Sequence, residues 1–346
     1  MTANGGFVLG LGAAVAALLF FGLKFLPREN MQILASIPVR RRADGRWQGV
    51  NLTWYGVMQS LAMVSGVGLA LVLARAADVP MKAIVLMVLG LIAIALPAAK
   101  VVALIVERRR GTLTVGGAIF VATLAAPWAA LAVDRYVGAA ATLPMIAALA
   151  AGYTVGEGVG RLACISFGCC YGKRLRDCPS WLQTLLAGRG AIVVGPTRKA
   201  AYASKCDGVP LVPVPAMSAI VLTAAGVSAT AVYLDGRYRA AILVALGVAF
   251  SWRFASEFLR ADFRGGGRLS AYQWMAVVCL VYAIPVALGL PTCERRPDVH
   301  ASAAVASSPV VLLGMAALGV LVFVYLGVSS VTTATIELDI HERYRS

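Results

Sequence analysis

The stretch Gly156-Glu157-Gly158-Val159-Gly160-Arg161-Leu162-Ala163-Cys164-Ile165-Ser166-Phe167-Gly168-Cys169-Cys170-Tyr171-Gly172 decides the reading of this chain. It sets a glutamate and an arginine at the end of an otherwise apolar helix and follows them with a glycine-rich, cysteine-bearing turn. Glu157 and Arg161 are four residues apart, so they share one helix face and can pair. Ionisable groups at membrane depth are costly, and where they occur they usually mark a site. Arg253 and Glu257 repeat that spacing near the end of another apolar span, with Arg260 one turn on. Two arginines converging near a membrane surface suit a phosphate group, which guanidinium binds through two parallel hydrogen bonds. Spacing alone also admits a plainer outcome, ion bridges that only tie helices together, and that outcome is the more common one.

Composition supplies the setting. Of the 346 residues, 60% are hydrophobic and 14% charged, and the mean hydropathy is +0.81. A soluble domain carries about 25% charged residues, so the chain reads as an all-α integral membrane protein. A bilayer core needs about 20 apolar residues per helix. That criterion predicts nine spans, at 6–26, 54–75, 82–106, 113–133, 139–160, 212–234, 240–258, 271–290 and 308–330. Pro97 and Pro127 fall inside spans, where neighbouring helices can cover the freed backbone. The first span has no basic leader and no clear cleavage site, so it reads as a retained anchor rather than a signal peptide. Residues 27–53 read as a basic linker carrying Arg40, Arg41, Arg42 and Arg46. Residues 161–211 form the one long loop, with a short apolar stretch from Trp181 to Leu186; a loop of that length is functional or disordered.

The net charge of +15 would suggest nucleic acid in a soluble protein. Here the basic residues sit between apolar segments, so the expected partner is anionic lipid headgroup and nucleic acid is not expected. Odd-numbered loops carry Arg40–Arg42, Arg108–Arg110, most basic residues of the long loop, and Arg260, Arg264 and Arg268; even-numbered loops carry fewer. Charge counting would therefore place the odd loops in the cytoplasm and the N-terminus outside.

The seven cysteines are 164, 169, 170, 178, 206, 279 and 293. No C-x-x-C pair occurs and the only histidines are His300 and His341, so no zinc, haem or other cofactor site is expected. Neither histidine sits on an apolar helix, and neither reads as a base. A Cys178–Cys206 disulfide is expected if their loop is extracytoplasmic, and free thiols if it is not. Cys169–Cys170 reads either as a reactive or redox-active pair near Lys173 and Arg174 or, more commonly, as small residues filling a tight turn. Gly156, Gly158 and Gly160 suit close helix packing or backbone approach to a ligand. Trp54-Tyr55-Gly56 suits an interfacial aromatic belt. Val115-Gly116-Gly117 opens the fourth span, and Asp134 reads as an interfacial charge.

Taken in order, four segments resemble the bacterial prolipoprotein diacylglyceryl transferase family: Trp54 to Met58, Gly111 to Gly117, Gly160 to Gly172, and Arg253 to Asp262 followed by Leu269-Ser270 and Gln273. The resemblance runs from about Trp54 to Ala283. It implies a seven-helix inner-membrane enzyme that moves the diacylglyceryl group of phosphatidylglycerol onto a preprotein cysteine thiol, releasing glycerol phosphate. It implies that Arg161 and Arg253 hold the lipid phosphate, Glu257 orients Arg253, Tyr55 lines the pocket, and Gly168 and Gly172 shape the turn. Gly116, Gly117, Glu157 and Arg260 complete the expected substrate pocket.

The chain also departs from that family. The family's histidine position is Val115. Its signature asparagines are replaced by Cys164 and Phe167, its signature acidic residue by Cys169, and its Gln and Tyr-Glu are missing around Pro215-Ala216-Met217-Ser218. The phosphate-holding half of the site survives and the base half does not; Glu157 is the candidate replacement base. The resemblance implies three regions: residues 1–53 with one extra helix, the core at 54–290, and residues 291–346 with a second extra helix. It places the long loop outside the cytoplasm and the N-terminus inside, against charge counting, and the resemblance is followed here. The expected function is lipid transfer to a lipoprotein precursor or another acceptor. The competing expectation is a non-catalytic lipid-binding subunit of a larger membrane complex.

Overall fold

The computed structural model describes residues 2–107, 114–261, 268–328 and 337–338. Arg108–Arg110, Gly111, Asp262, Arg264 and His341 lie outside the described residues. In chain order the elements are α1 (Ala3–Phe25), β1 (Ile33–Arg41), β2 (Trp47–Thr53), α2 (Trp54–Ala76), α3 (Met81–Val102), α4 (Val115–Val137), α5 (Thr142–Phe167), α6 (Ser180–Leu185), β3 (Ala191–Ile192), α7 (Lys199–Ser204), β4 (Pro210–Leu211), α8 (Val214–Leu234), α9 (Tyr238–Glu257), α10 (Ala271–Gly289), α11 (Val299–Ala306), α12 (Pro309–Leu326) and β5 (Glu337–Leu338).

Among the described residues, eight helices are long and apolar enough to cross a membrane: α1, α2, α3, α4, α8, α9, α10 and α12. The chain is a multi-pass membrane protein. The remaining expected span, 139–160, is α5, which is not one of the eight. Its glycines and threonines, with Glu157 and Arg161, lower its apolarity. It lies against α1, α2, α4, α8 and α9, so its polar groups meet protein.

Small residues let α5 sit that deep. A Cβ on Gly66 of α2 would stand 2.9 Å from the Gly152 carbonyl oxygen, and one on Gly156 would stand 2.9 Å from that of Ala62. On the other side, a Cβ on Gly158 would stand 2.8 Å from the Thr223 nitrogen of α8. The alternating glycines at 156 and 158 thus serve two different seams, as close packing in membranes requires. Asp134, expected as an interfacial charge, caps the start of α5 instead: its carboxylate accepts from the Ala141 and Thr142 nitrogens at 3.0 and 3.2 Å and from the Thr142 hydroxyl at 2.6 Å.

Two expectations need correcting. The basic linker at 27–53 contains an antiparallel hairpin, β1 with β2, registered from Ile33 opposite Thr53 to Arg41 opposite Trp47. Its strand residues Ile33, Ile37 and Val39 are good strand formers, and Gly45 at φ +84° makes the reversal. The loop expected at 161–211 starts only after Phe167, so Arg161 belongs to α5. That loop holds α6, which covers most of the Trp181–Leu186 stretch, together with α7 and the short β3–β4 pair. Cys178 and Cys206 are free and belong to separate apolar clusters. Burial pushes the Cys178 thiol up, with Lys173 partly opposing.

Arg198 fastens this loop to the helices. Its side chain is fully buried. It donates to the Ile165 carbonyl at 3.1 Å, to the Leu26 carbonyl at 3.3 Å, and to the Arg28 carbonyl. Burial pulls its pKa down to about 10, with Glu29 partly opposing, so it remains a cation at neutral pH. Hydrogen bonds from a charged donor contribute about 1.5–3 kcal/mol each, and removing the donor leaves buried acceptors unsatisfied. Arg198→Ala should therefore lower stability by roughly 3 kcal/mol. The 74%-exposed Arg176 side chain provides the control: Arg176→Ala should stay within about 0.5 kcal/mol. Thermal unfolding of both variants in detergent checks this.

Candidate functional site

Helices α5 and α9 bring the charged residues of the two separated sequence segments together. Glu157 is the junction. Its Oε1 accepts from Arg161 on the same helix and from Arg253 Nη1 of α9, the latter at 3.1 Å. Its Oε2 accepts from the Tyr153 hydroxyl one turn earlier. All three charged side chains are largely buried, at 7% exposure for Glu157, 17% for Arg161 and 12% for Arg253. Arg260 Nη1 lies 3.9 Å from Glu257 Oε1, and these two are also buried. The resemblance implied that Glu257 orients Arg253. The carboxylate that Arg253 reaches is instead Glu157, across a helix boundary.

Glu157, Arg161, Arg253, Glu257 and Arg260 line one cleft. Among the described residues, three guanidiniums (Arg161, Arg253, Arg260) and two carboxylates (Glu157, Glu257) line it, one more cation than anion. The buried Nε of Arg161 has no hydrogen-bond partner among the described residues. An excess cation with a spare buried donor is suited to receiving an anionic oxygen. The apolar wall comes from α8 and α9, where Trp252 Nε1 donates to Ser218 Oγ at 2.9 Å. Ser218 stands in the segment where the family's Gln and Tyr-Glu are missing.

The remaining expected residues take different places. Gly116 lies directly against Arg253, and a Cβ there would also come within 2.7 Å of the Tyr272 ring. Its lack of a side chain is what lets Arg253 pass. Gly117 packs on Val102 of α3 and not on the charged group. Val115 begins α4 and is 57% exposed. Tyr55 is outside the cleft lining and stacks edge-on against Phe167, with centroids 5.7 Å apart. Gly168 ends α5 in the left-handed region at φ +69°, its N–H bonding to the Cys164 carbonyl at 2.9 Å. Gly172 is in close approach to Val212 and pairs with Arg260. Lys173 N to Leu259 O at 2.8 Å and Ala261 N to Tyr171 O at 3.1 Å hold this turn to the end of α9.

Sequence reasoning missed the central position of Glu157 and the part played by Tyr153. The signal was present: Tyr153, Glu157 and Arg161 recur every four residues on one face. It also missed that three sulfurs, those of Cys164, Cys169 and Cys170, lie within 4.8 Å of one another. As for Glu157 acting as a base, a carboxylate gripping two guanidiniums and a hydroxyl is suited to staying charged and holding them in place, and not to taking a proton from a thiol.

Residues 46–288 match the sequence model of a family described as prolipoprotein diacylglyceryl transferase. No curated protein matches the chain.

The junction makes a prediction of its own. Removing one partner of a buried ion cluster costs about 3–5 kcal/mol, because the others are left uncompensated. Glu157→Gln should therefore lower the melting temperature in detergent well beyond a surface substitution. Added inorganic phosphate should restore more of that loss in the variant than it adds to the unmodified protein. Equal phosphate responses would show that the arginines do not hold an anion.

Proposed function

The chain belongs to the prolipoprotein diacylglyceryl transferase family, and from that premise we propose that it moves the diacylglyceryl group of phosphatidylglycerol, or a closely related anionic lipid, to a cysteine thiol of a lipoprotein precursor or another acceptor. The observation that carries this reading is the meeting of Arg161 and Arg253 on Glu157 in one cleft. In this reading the two guanidiniums grip the phosphodiester, and Arg260, oriented by Glu257, extends the positive wall. Glu157 acts as a positioning residue: it fixes both arginines before the lipid arrives, so little reorganisation is needed as charge builds on the departing phosphate. Gly116 keeps the space beside Arg253 clear. The thiolate sulfur attacks the glyceryl carbon, the bond from that carbon to the phosphate oxygen breaks, and glycerol phosphate leaves with the electron pair.

The setting that goes with this reaction is the bacterial inner membrane, with the cleft turned toward the non-cytoplasmic surface. The exposed valine at position 115 supports a second reading, in which the fold serves as a lipid-binding subunit without transfer.

Turnover in vesicles containing phosphatidylglycerol and a lipobox peptide separates the two. Each of Arg161→Ala and Arg253→Ala should lower transfer by roughly 100-fold or more, the usual effect of removing one preorganised donor. Unmodified protein that turns over no faster than Arg161→Ala would defeat the enzyme reading. Lipid binding that persists alongside it would favour the subunit.

A further inference from the structure

The three sulfurs beside the cleft call for an explanation that the arginine site does not supply. Cys164 lies in the last turn of α5, and Cys169 and Cys170 follow the Gly168 cap. The cap turns the chain back on itself: the Gly168 and Cys169 nitrogens both bond to the Cys164 carbonyl, at 2.9 and 3.2 Å. A C-x4-C-C spacing, which has no C-x-x-C pair in it, thereby closes into a cluster. Cys164 and Cys170 sulfurs are 3.7 Å apart, and all three lie within 4.8 Å of one another. Two thiolates on one tetrahedral zinc, with zinc–sulfur bonds of about 2.3 Å, stand roughly 3.8 Å apart. Cys170 holds this position at φ +57°, a left-handed conformation that is strained for a residue with a Cβ. Glycine or asparagine would adopt it more readily, so the thiol is being held there at a cost.

The charge of Arg161 is within electrostatic reach of Cys164 and Cys170. Cys170 also lines the arginine cleft.

We propose that Cys164, Cys169 and Cys170 bind one thiophilic d10 metal ion, of the class of Zn²⁺, through three thiolates, with the fourth coordination position open to the arginine cleft. Three protein ligands and one open position is the arrangement of a catalytic zinc, and a thiol that binds the ion does so deprotonated. The binding site stands by itself; its role rests on the transferase reading. In that role Cys164, Cys169 and Cys170 would hold the ion, which would supply Lewis acidity that lowers the acceptor thiol's pKa so that its proton could pass to water. The sulfur would bond to the glyceryl carbon while the carbon–oxygen bond to phosphate breaks, and the electron pair would leave with a phosphate oxygen beside Arg161 and Arg253. Such an ion would offset the absence of the family histidine at Val115.

The test uses the full chain, purified in detergent under reducing, oxygen-free conditions and dialysed against Zn²⁺ without substrate. Elemental analysis should find about one zinc per chain. Cys164→Ser, Cys169→Ser and Cys170→Ser should each lower occupancy at least 10-fold, whereas Cys178→Ser and Cys206→Ser should leave it unchanged. Co²⁺ titration of the unmodified protein should give a thiolate-to-metal charge-transfer absorption saturating at one equivalent, which keeps the test valid if the serine variants fail to fold. Zinc content no higher than that of the triple serine variant, no cobalt absorption, or a Cys169–Cys170 disulfide under these conditions would each overturn the proposal. Lipid transfer continuing without bound metal would overturn the ion's role and leave the transferase reading intact. Bound zinc without transfer by any preparation would leave the metal site standing and remove that reading.

Discussion

The buried carboxylate of Glu157, shared between Arg161 and Arg253, is the interaction on which the rest of the arrangement depends. Two guanidiniums brought together among apolar helices repel each other and lose their hydration, and a single carboxylate between them offsets both penalties. It works only if α5 runs through the middle of the bundle, because only there can one side chain of α5 be reached by another helix. The glycine seams at Gly152 and Gly156 against α2, and at Gly158 against α8, allow that depth. Packing and electrostatics are thus one design: close backbone approach brings the carboxylate into reach, and the carboxylate makes the arginine pair tolerable.

The end of α5 carries the same logic into the loop. The Gly168 cap reverses the chain, Tyr171 and Lys173 pair with the end of α9, and Arg198 returns to cover the carbonyls near the helix terminus. The turn that follows Arg161 is therefore anchored to the helix that carries Arg253. A shift of α9 relative to α5 would therefore displace Arg253 from Glu157 and pull on the turn after Cys170 at the same time.

Much of this was legible from residues alone, and the limits have physical causes. Helical spans are read from runs of apolar residues, and eight of the nine expected are helices that satisfy that physics directly. The ninth, α5, is polar because it is surrounded by protein, and a lipid-based criterion does not capture that setting. The hairpin at 33–53 was obscured by its arginines: four basic residues read as linker, although Ile33, Ile37 and Val39 favour a strand. Arg161 and Arg253 were identifiable because charge in an apolar run is rare. The Glu157–Arg161 pair followed from i,i+4 spacing, whereas the partner of Arg253 did not, because that spacing reports neighbours on one helix and says nothing of a neighbour on another. The cysteine cluster was hidden for a related reason, since a helix cap shortens a distance that the spacing makes look long.

Charge counting along the chain faces a comparable difficulty. The positive-inside rule treats every basic residue near a span as a free charge facing water. Several arginines here are hydrogen-bonded to backbone carbonyls near helix ends instead. Arg75 donates to Val79 O at 2.6 Å, Arg239 to Leu290 O at 3.0 Å, and Arg295 to Ala139 O at 2.7 Å and to Ala77 O at 3.2 Å. Arg198 does the same on the other side of the bundle. Terminal carbonyls of a helix lack intrahelical partners, and in or near lipid a guanidinium with five donors supplies them. Such residues are selected for structure whichever side of the membrane they occupy. Arg260 is counted with a loop but lies in the cleft beside Glu257. A charge tally that sets aside carbonyl-bound and cleft arginines loses members from both sets of loops. The basic excess of this chain therefore reflects what its helix ends and its anion-binding cleft require as much as which face it turns to the cytoplasm.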